Sequence, residues 1–331
     1  MFQFWKFGML LILGVQGHAL PAPAEPAEGG TGSTVEIREL PDRVRVEIGG
    51  KLFTEYFFKN VPRPYCYPLI GPGGAAMTRN WPLQVAPNEE HDHPHHRSFW
   101  FAHGAVNGFD FWTEGANCGK IVHEKFREIR SGNEFGLVVS EDSWQAPDGT
   151  VVCRDTRTLR ISAPKTDQER IFDFEISIHA SHGQVRLGDT KEGTMAFRLA
   201  ETMRVKGATG TGHIVNSNGD KDDRTWGKRA EWCDYYGSVQ DKVVGIAIFD
   251  HPQNPRYPTW WHVRDYGLFA ANPFGKHDFE KLADKTAGDL VIPAGQSITF
   301  RYRFYLHAGD ERQGAVAARY KAYVSTTASA K

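Results

Sequence analysis

The sequence lacks a long hydrophobic run after Val15, has only four cysteines, and carries no excess of one charge sign. A membrane-spanning helix needs about 20 apolar residues, so no span is predicted after the first residues. The formal net charge is −1 over 331 residues, which gives no electrostatic reason to expect nucleic acid as a partner. The cysteines form no Cys-x-x-Cys pair, which disfavours a thiolate zinc site but leaves disulfides and free thiols both open.

Three common catalytic or nucleotide-binding motifs are also missing. The sequence contains no nucleophile elbow, no Walker loop and no G-x-G-x-x-G fingerprint. These absences disfavour a serine hydrolase, a nucleotide-binding protein and a dehydrogenase.

The N-terminus has the pattern of a secretory signal peptide. Lys6 supplies a positive charge, Phe7 to Val15 form a short apolar core, and Gly17 and Ala19 are the small residues that a signal peptidase reads. We predict a signal peptide over residues 1–19, a flexible lead-in over residues 20–34, and export to the periplasm or the extracellular space. A non-cleaved membrane anchor is the alternative.

Alternating strand patterns dominate the rest of the chain. Two alternating runs flank Gly49-Gly50, and two more flank Pro147-Asp148-Gly149, so each predicts a hairpin. Further strands are predicted at 172–178, 243–249 and 298–306. Asp310, with Gln313 three residues later, predicts the N-cap of a short C-terminal helix. We therefore predict an all-β fold, a single large antiparallel β-sandwich over residues 35–325; two smaller β domains meeting near residue 130 are the alternative.

A dense histidine cluster is the strongest functional signal. The cluster and the polar residues that follow it are His91, His93, His95, His96, Arg97, His103 and Asn107. Histidine is the general acid or base that works near neutral pH, and we predict this role for His93, His95 and His96, with Arg97 binding an oxyanion or carboxylate. In an extended segment His91, His93 and His95 would point the same way. A divalent metal on these three is therefore the second choice, and no glutamate follows at cupin spacing.

Three other segments carry the polar and aromatic residues typical of a saccharide cleft. Glu192, between two glycines, and Asp234, in a tryptophan-rich run, are predicted as the complementary catalytic carboxylates. Trp232 and Trp261 are predicted to stack on sugar rings. The full set predicted to bind substrate is Arg97, His103, Asn107, Lys191, Lys228, Trp232, His251, Trp261, His262, Arg264 and Lys276.

Several runs resemble a known bacterial family. The runs HDHPHHRSFWFAHGAVNGFDFW, GDTKEG, WGKRAEWCDYYG and GIAIFDHPQNPRYPTWWHVRDYGLFAANPFG are similar to the family labelled PmoA, or methane oxygenase PmoA, over nearly the whole mature chain. The particulate methane monooxygenase subunit is an integral membrane protein, and this chain has no hydrophobic span after residue 15. The membrane subunit's activity is therefore not carried over.

A second, architectural resemblance concerns the C-terminal region. The segment 290–297, followed by an aromatic alternating strand, looks like the end of galactose-mutarotase-like supersandwich domains. This resemblance implies a wide sugar-binding cleft.

Together the residues and the two resemblances predict an exported carbohydrate-active protein. It would bind a small saccharide, oligosaccharide or sugar derivative and transform it by hydrolysis, elimination or epimerisation, with histidine and carboxylate groups and no cofactor. Two alternatives belong to other classes: a non-catalytic glycan-binding protein, and a metal-dependent oxidoreductase with histidine ligands.

Overall fold

The computed structural model describes residues 1–4 and 33–328. The chain divides into two compact units, Met1–Thr31 and Gly32–Lys331, and the second contains every described strand and helix. The predicted signal peptide and lead-in lie almost wholly outside the described residues. No helix among the described residues is long and apolar enough to cross a membrane.

Strands are the main regular secondary structure of the described chain. The first nine strands are β1 Val35–Glu39, β2 Arg43–Ile48, β3 Lys51–Phe57, β4 Tyr65–Leu69, β5 Phe99–His103, β6 Lys120–Arg130, β7 Phe135–Gln145, β8 Val151–Ser162 and β9 Glu169–His179. The next nine are β10 Val185–Leu187, β11 Gly193–Arg198, β12 His213–Asn216, β13 Trp232–Val239, β14 Lys242–Asp250, β15 Trp260–Val263, β16 Leu268–Asn272, β17 Leu290–Ile292 and β18 Ser297–Ala308. The helices are α1 Lys276–Glu280 and α2 Val316–Ala328, with 3-10 turns at Pro72–Gly74, Glu201–Met203 and Asp222–Thr225.

The strands form two large antiparallel sheets. Sheet 1 has the order β1-β2-β3-β4-β5-β11-β16-β15, and sheet 2 has the order β12-β13-β14-β18-β9-β8-β7-β6. A separate two-stranded ribbon pairs β10 with β17. The predicted all-β sandwich with a short C-terminal helix is thus confirmed.

Aromatic rings from both sheets form the core between them. Phe99 of sheet 1 packs against Phe172 and Phe304 of sheet 2, with ring centroids 5.4 and 5.0 Å apart. Edge-to-face contacts of this kind add to the free energy that burial contributes. The apolar residues of the alternating sequence pattern therefore face this core, and the polar residues between them face outward.

The predicted hairpins are present with the expected turns. Strands β2 and β3 pair across Gly49 and Gly50, both of which have positive φ angles, of 57° and 71°. Glycine adopts this conformation without the steric cost that a side chain adds. Strands β7 and β8 pair along their length on either side of the Pro147-Asp148-Gly149 turn.

The C-terminal helix begins later than its capping signal predicts. Asp310 and Gln313 do form the reciprocal hydrogen bonds of a capping box, since the Gln313 side chain accepts from the Asp310 N–H and the Asp310 carboxylate accepts from the Gln313 N–H. The chain then makes a turn in which Ala315 has a φ of 51°. Because that conformation interrupts a right-handed helix, α2 starts only at Val316.

The four cysteines are free thiols in this fold. Cys66, Cys153 and Cys233 are buried, and burial raises the pKa of the Cys66 thiol to about 12. Of the two states that the sequence left open, the structure therefore has the unpaired one.

Candidate functional site

Seven of the predicted site residues meet in one cleft of about 460 Å³. Its lining residues are His93, His95, His96, Thr113, Lys191, Glu192, His262, Arg264 and Tyr266. Larger cavities of about 720 and 770 Å³ contain no residue predicted for the site. The cleft is therefore the place where the separate polar segments of the sequence converge, and its volume is in the range of small-molecule sites.

Sheet 1 forms the base of this cleft. Trp100, Ala196, Ala270 and His262 are aligned across β5, β11, β16 and β15 by the strand register. Directly opposed residues in an antiparallel sheet point to the same face, so these four side chains share one face. The two alanines have no side chain beyond Cβ and leave room for the rings of the segment 91–97, called here the histidine loop.

The histidine loop enters the cleft as part of a continuous ring stack. His93 is nearly parallel to Tyr266 on one side and to His96 on the other, with centroids 5.3 and 4.7 Å apart and interplanar angles of 5° and 9°. His96 in turn stacks on Trp100 at 5.3 Å. This packing holds both imidazoles in one orientation.

Asp92 orients the His93 ring. Its Oδ2 accepts a hydrogen bond from His93 Nδ1 at 2.8 Å, and its Oδ1 accepts from Arg198 Nη2 at 2.6 Å and from Arg79. Partial burial opposes ionisation, but the His93 hydrogen bond and the charges of Arg198 and Arg79 hold the pKa of Asp92 well below its usual range. Because a carboxylate accepts hydrogen bonds, this contact assigns a proton to Nδ1 of His93, which leaves Nε2 as the ring nitrogen that can accept a proton.

His96 is held in the opposite tautomer. The Arg198 guanidinium donates to His96 Nδ1 at 3.2 Å, so this nitrogen carries the lone pair and Nε2 carries the proton. Burial, together with the charges of the surrounding histidines and arginines, lowers the pKa of His96 well below 6.5. His96 is consequently a neutral hydrogen-bond donor.

His262 and His95 are neutral for the same physical reason. Burial, followed by the charges of Arg264 and Lys191, lowers the pKa of His262 to about 3. Burial, followed by the charge of Arg63, lowers the pKa of His95 to about 4. Trp226 Nε1 donates to His262 Nδ1 at 3.1 Å, which leaves the Nε2–H of His262 as its remaining donor.

These depressed pKa values predict a loss of stability in mild acid. The unfolded chain binds protons on His95 and His262 near pH 6.5, whereas the folded chain does so only near pH 4 and 3. Stability is therefore complete above about pH 6.5 and falls as the pH decreases through this window. We expect the urea concentration at the unfolding midpoint to be lower at about pH 5 than at about pH 7. The decrease should be smaller in His262→Gln, which lacks one of the two groups. An equal decrease in His262→Gln and in wild type would contradict the depressed pKa of His262. His91→Gln is the control and should show the same decrease as wild type.

Two buried arginines hold the histidine loop from beneath. Arg79 is fully buried and donates to the carbonyl oxygens of Asp92 and His93 at 3.0 and 3.1 Å. Arg63, also buried, donates to the His95 carbonyl at 3.1 Å. Neither arginine was predicted from the sequence, because an isolated arginine in a polar stretch has the pattern of a solvated side chain. Arg198 was likewise absent from the predicted site. Asp92 belongs to the predicted histidine cluster and Tyr266 to the segment of His262 and Arg264, but neither was given a role.

The alternation expected for His91, His93 and His95 is wrong. The segment is not a strand, and His93 has a φ of 42°, so side chains two residues apart do not point the same way. His91 instead stacks on Trp81 with ring centroids 4.0 Å apart. Among residues 1–4 and 33–328, no group of three or more His, Cys, Asp or Glu side chains is arranged to hold a metal ion.

Asp234 and the two tryptophans predicted to stack on sugar lie inside the protein. Asp234 is fully buried and accepts a hydrogen bond from His307 Nε2 at 3.1 Å. Trp261 is completely buried in the core between the sheets, and Trp232 packs beneath α2. These placements correct the predicted geometry, because none of the three lines the cleft.

The other predicted binding residues also lie outside the cleft. Arg97 is engaged by Glu114 through two hydrogen bonds of 2.7 Å. His103 is buried and donates to the Gly188 carbonyl at 2.8 Å. Asn107 forms hydrogen bonds with the backbone of Gln184 and Arg186, and His251 accepts a hydrogen bond from the Gln253 N–H. Lys228 is exposed, and Lys276 is the first residue of α1.

The matching family model gives the chain its classification. The model of a family of unknown function, DUF6807, matches residues 43–321, and the chain belongs to that family. No curated protein matches the chain. The resemblance to the PmoA-labelled family stays a prediction from the sequence.

Several solved structures have a distant likeness to this chain. A glycoside hydrolase family 97 enzyme from Pseudoalteromonas sp. strain K8 is 12% identical with a TM-score of 0.32, over 84% of this chain and 34% of the enzyme. A protein from Escherichia coli K12 described as a possible aldose 1-epimerase is 11% identical with a TM-score of 0.31, over 84% of this chain and 100% of that one. A galactose mutarotase related enzyme from Lactobacillus acidophilus is 7% identical with a TM-score of 0.27, over 83% and 97%. The chain spans about a third of the length of the family 97 enzyme.

Proposed function

We propose that this member of DUF6807 is a carbohydrate-active protein that binds a saccharide or sugar derivative in the cleft around His93. The proposed chemistry is proton transfer, with His93 as the general base. The single observation that carries the proposal is the Asp92–His93 pair, joined at 2.8 Å in a cleft that also holds neutral histidines and a carboxylate. A carboxylate-oriented imidazole is a common arrangement for a general base.

The other lining groups supply the roles that such a reaction needs. Glu192 lies in an ion pair with Lys191 at 3.1 Å and is the complementary carboxylate of the proposal. The Nε2–H groups of His262 and His96 are neutral donors that suit the hydroxyl groups of a sugar. Hydrolysis, elimination and epimerisation each need a group that accepts a proton and a group that donates one. Proton transfer by these groups requires no metal or organic cofactor, and elemental analysis of untagged protein tests this part.

The proposal is tested with a panel of saccharides. Neutral and acidic mono- and trisaccharides are incubated with the protein, and ¹H NMR follows binding by saturation transfer and turnover by new product signals. Binding together with turnover supports the proposal. Binding without turnover of any member supports the alternative, a non-catalytic glycan-binding protein. If no saccharide binds, the proposed function is wrong.

Export is also part of the proposal, supported by the charged, apolar and small-residue regions of the first 19 residues. When the chain is expressed in a bacterial host, we expect the mature protein in the periplasm or the medium. N-terminal sequencing should then begin at Leu20. A mature chain that retains Met1 would show that the segment is not cleaved.

A further inference from the structure

Arg264 is the feature of the cleft that the proton-transfer chemistry does not use. Its guanidinium lies between two aromatic rings, 5.8 Å from the centroid of Trp226 and 5.5 Å from that of Tyr266. Among the described residues, no carboxylate lies within ion-pair distance of this guanidinium, which is partly exposed. Arginine is always charged in proteins, so the cleft contains a cation without a counter-ion from the described chain.

The other cations of the site differ from Arg264 because each has a carboxylate partner. Arg198 and Arg79 both contact Asp92, and Lys191 contacts Glu192. Arg198 and Arg79 are also fully buried beneath the loop. Arg264 is thus a guanidinium residue that lines the cleft, is partly exposed, and has no carboxylate partner among the described residues.

The position of Arg264 suits a planar anion. A guanidinium offers a fork of N–H donors that matches a carboxylate in a bidentate pair. The two flanking rings limit its rotation, so less conformational freedom is lost when an anion binds. His262 lies two residues away and is held by the same Trp226 that flanks Arg264, with its Nε2–H as a further neutral donor.

The charge balance at this end of the cleft agrees with an anionic ligand. After burial, the groups that lower the pKa of His262 to about 3 are Arg264, Lys191 and His93, all of them basic. Two of these groups, Arg264 and Lys191, are cations, and Glu192, the one carboxylate among the described residues that line the cleft, pairs with Lys191 and not with Arg264.

From this geometry we infer that the natural ligand is an acidic sugar whose carboxylate binds to Arg264. The inference rests on the proposed saccharide function and names the substrate class of the same cleft. In a uronate the carboxylate is attached directly to a carbon of the sugar ring. One bound sugar could therefore present its hydroxyl groups to the histidines and its carboxylate to the guanidinium of Arg264.

The test compares matched acidic and neutral sugars. Dissociation constants are measured by titration calorimetry for galacturonate and galactose, and for their trisaccharides, with wild-type protein and three variants. Hydrogen bonds to charged groups contribute about 1.5–3 kcal/mol, so we expect wild type to bind the acidic sugar roughly 10- to 100-fold more tightly. Arg264→Gln should remove this preference and leave the affinity for the neutral sugar within about 2-fold, and Arg264→Lys should restore only part of it.

Arg224→Gln is the matched control, because Arg224 is an exposed arginine outside the cleft and its loss changes the net charge equally. This control should keep the full preference. Neutral sugars that bind as tightly as acidic ones would overturn the inference and leave the proposed function standing. Tighter binding of galactose 6-phosphate than of galacturonate would also overturn it, in favour of a phosphate. If no saccharide binds at all, the proposed function itself is wrong.

Discussion

Replacing Asp92 with asparagine is expected to lower the free energy of unfolding by about 3–5 kcal/mol. Arg79 and Arg198 are both fully buried and both contact this one carboxylate. Without it, two desolvated guanidinium groups keep their charge and lose their shared partner. Because the Asp92 side chain is 29% exposed, water screens part of the interaction, and the lower end of the range is expected. Urea unfolding followed by circular dichroism measures the change.

The matched control for this substitution is Asp167→Asn. Asp167 also pairs with an arginine, Arg170, but its side chain is 61% exposed. Surface ion pairs contribute about 0–1 kcal/mol, so this variant should stay close to wild type. Comparable losses in the two variants would show that Asp92 does not have the structural role assigned to it.

Replacing His93 with glutamine is expected to reduce turnover roughly 10²- to 10⁴-fold, the range that general acid–base catalysis contributes. Glutamine keeps a polar side chain beside Asp92 but has no basic nitrogen corresponding to Nε2. Since His93 is exposed and lies above the buried arginines rather than among them, the free energy of unfolding should change little. The measurement is the initial rate of product formation by NMR on the saccharide that wild type transforms.

His91→Gln is the control for the histidine loop. His91 is also an exposed histidine of the loop, but it stacks on Trp81 and does not line the cleft. Its replacement should leave turnover within about 3-fold of wild type, a difference of less than 1 kcal/mol in the activation free energy. A His93 variant that keeps wild-type turnover, or a His91 variant that loses as much, would remove His93 from the proposed role.

The two predictions separate positioning from chemistry. Asp92→Asn should lower stability and turnover together, because the carboxylate holds both the arginines and the His93 tautomer. His93→Gln should lower turnover alone. This difference comes from burial, since the guanidinium groups beneath the loop cannot be solvated when their partner is removed.

Part of the candidate site was predictable from residue type alone. Histidines concentrated in a short polar loop, and Glu192 beside Lys191 between two glycines, are rare enough in a strand-rich chain to indicate function. His262 lies within the short buried strand β15, and Arg264 directly follows that strand. The cleft is lined by three of the loop histidines and by four other residues from these segments, namely His93, His95, His96, Lys191, Glu192, His262 and Arg264.

The residues outside the cleft show the limit of that reasoning. Trp232, Trp261 and Asp234 have the composition of a sugar site, but β13 and β15 turn these side chains toward packed interiors. In a strand that is buried on both faces, composition does not reveal which face each residue occupies. The face depends on the register with neighbouring strands, and that register is a property of the assembled sheet.

The sequence by itself determined the strand-rich architecture, because alternation of apolar and polar residues specifies which segments can form a half-buried sheet. It also identified the histidine loop and the short charged turn at Glu192. Only the tertiary structure decided that the Asp92 carboxylate contacts two buried arginines, that the same carboxylate binds Nδ1 of His93, and that Arg264 lines the cleft without a carboxylate partner among the described residues. These properties arise from burial and from contacts between residues far apart in the chain, which local pattern does not encode.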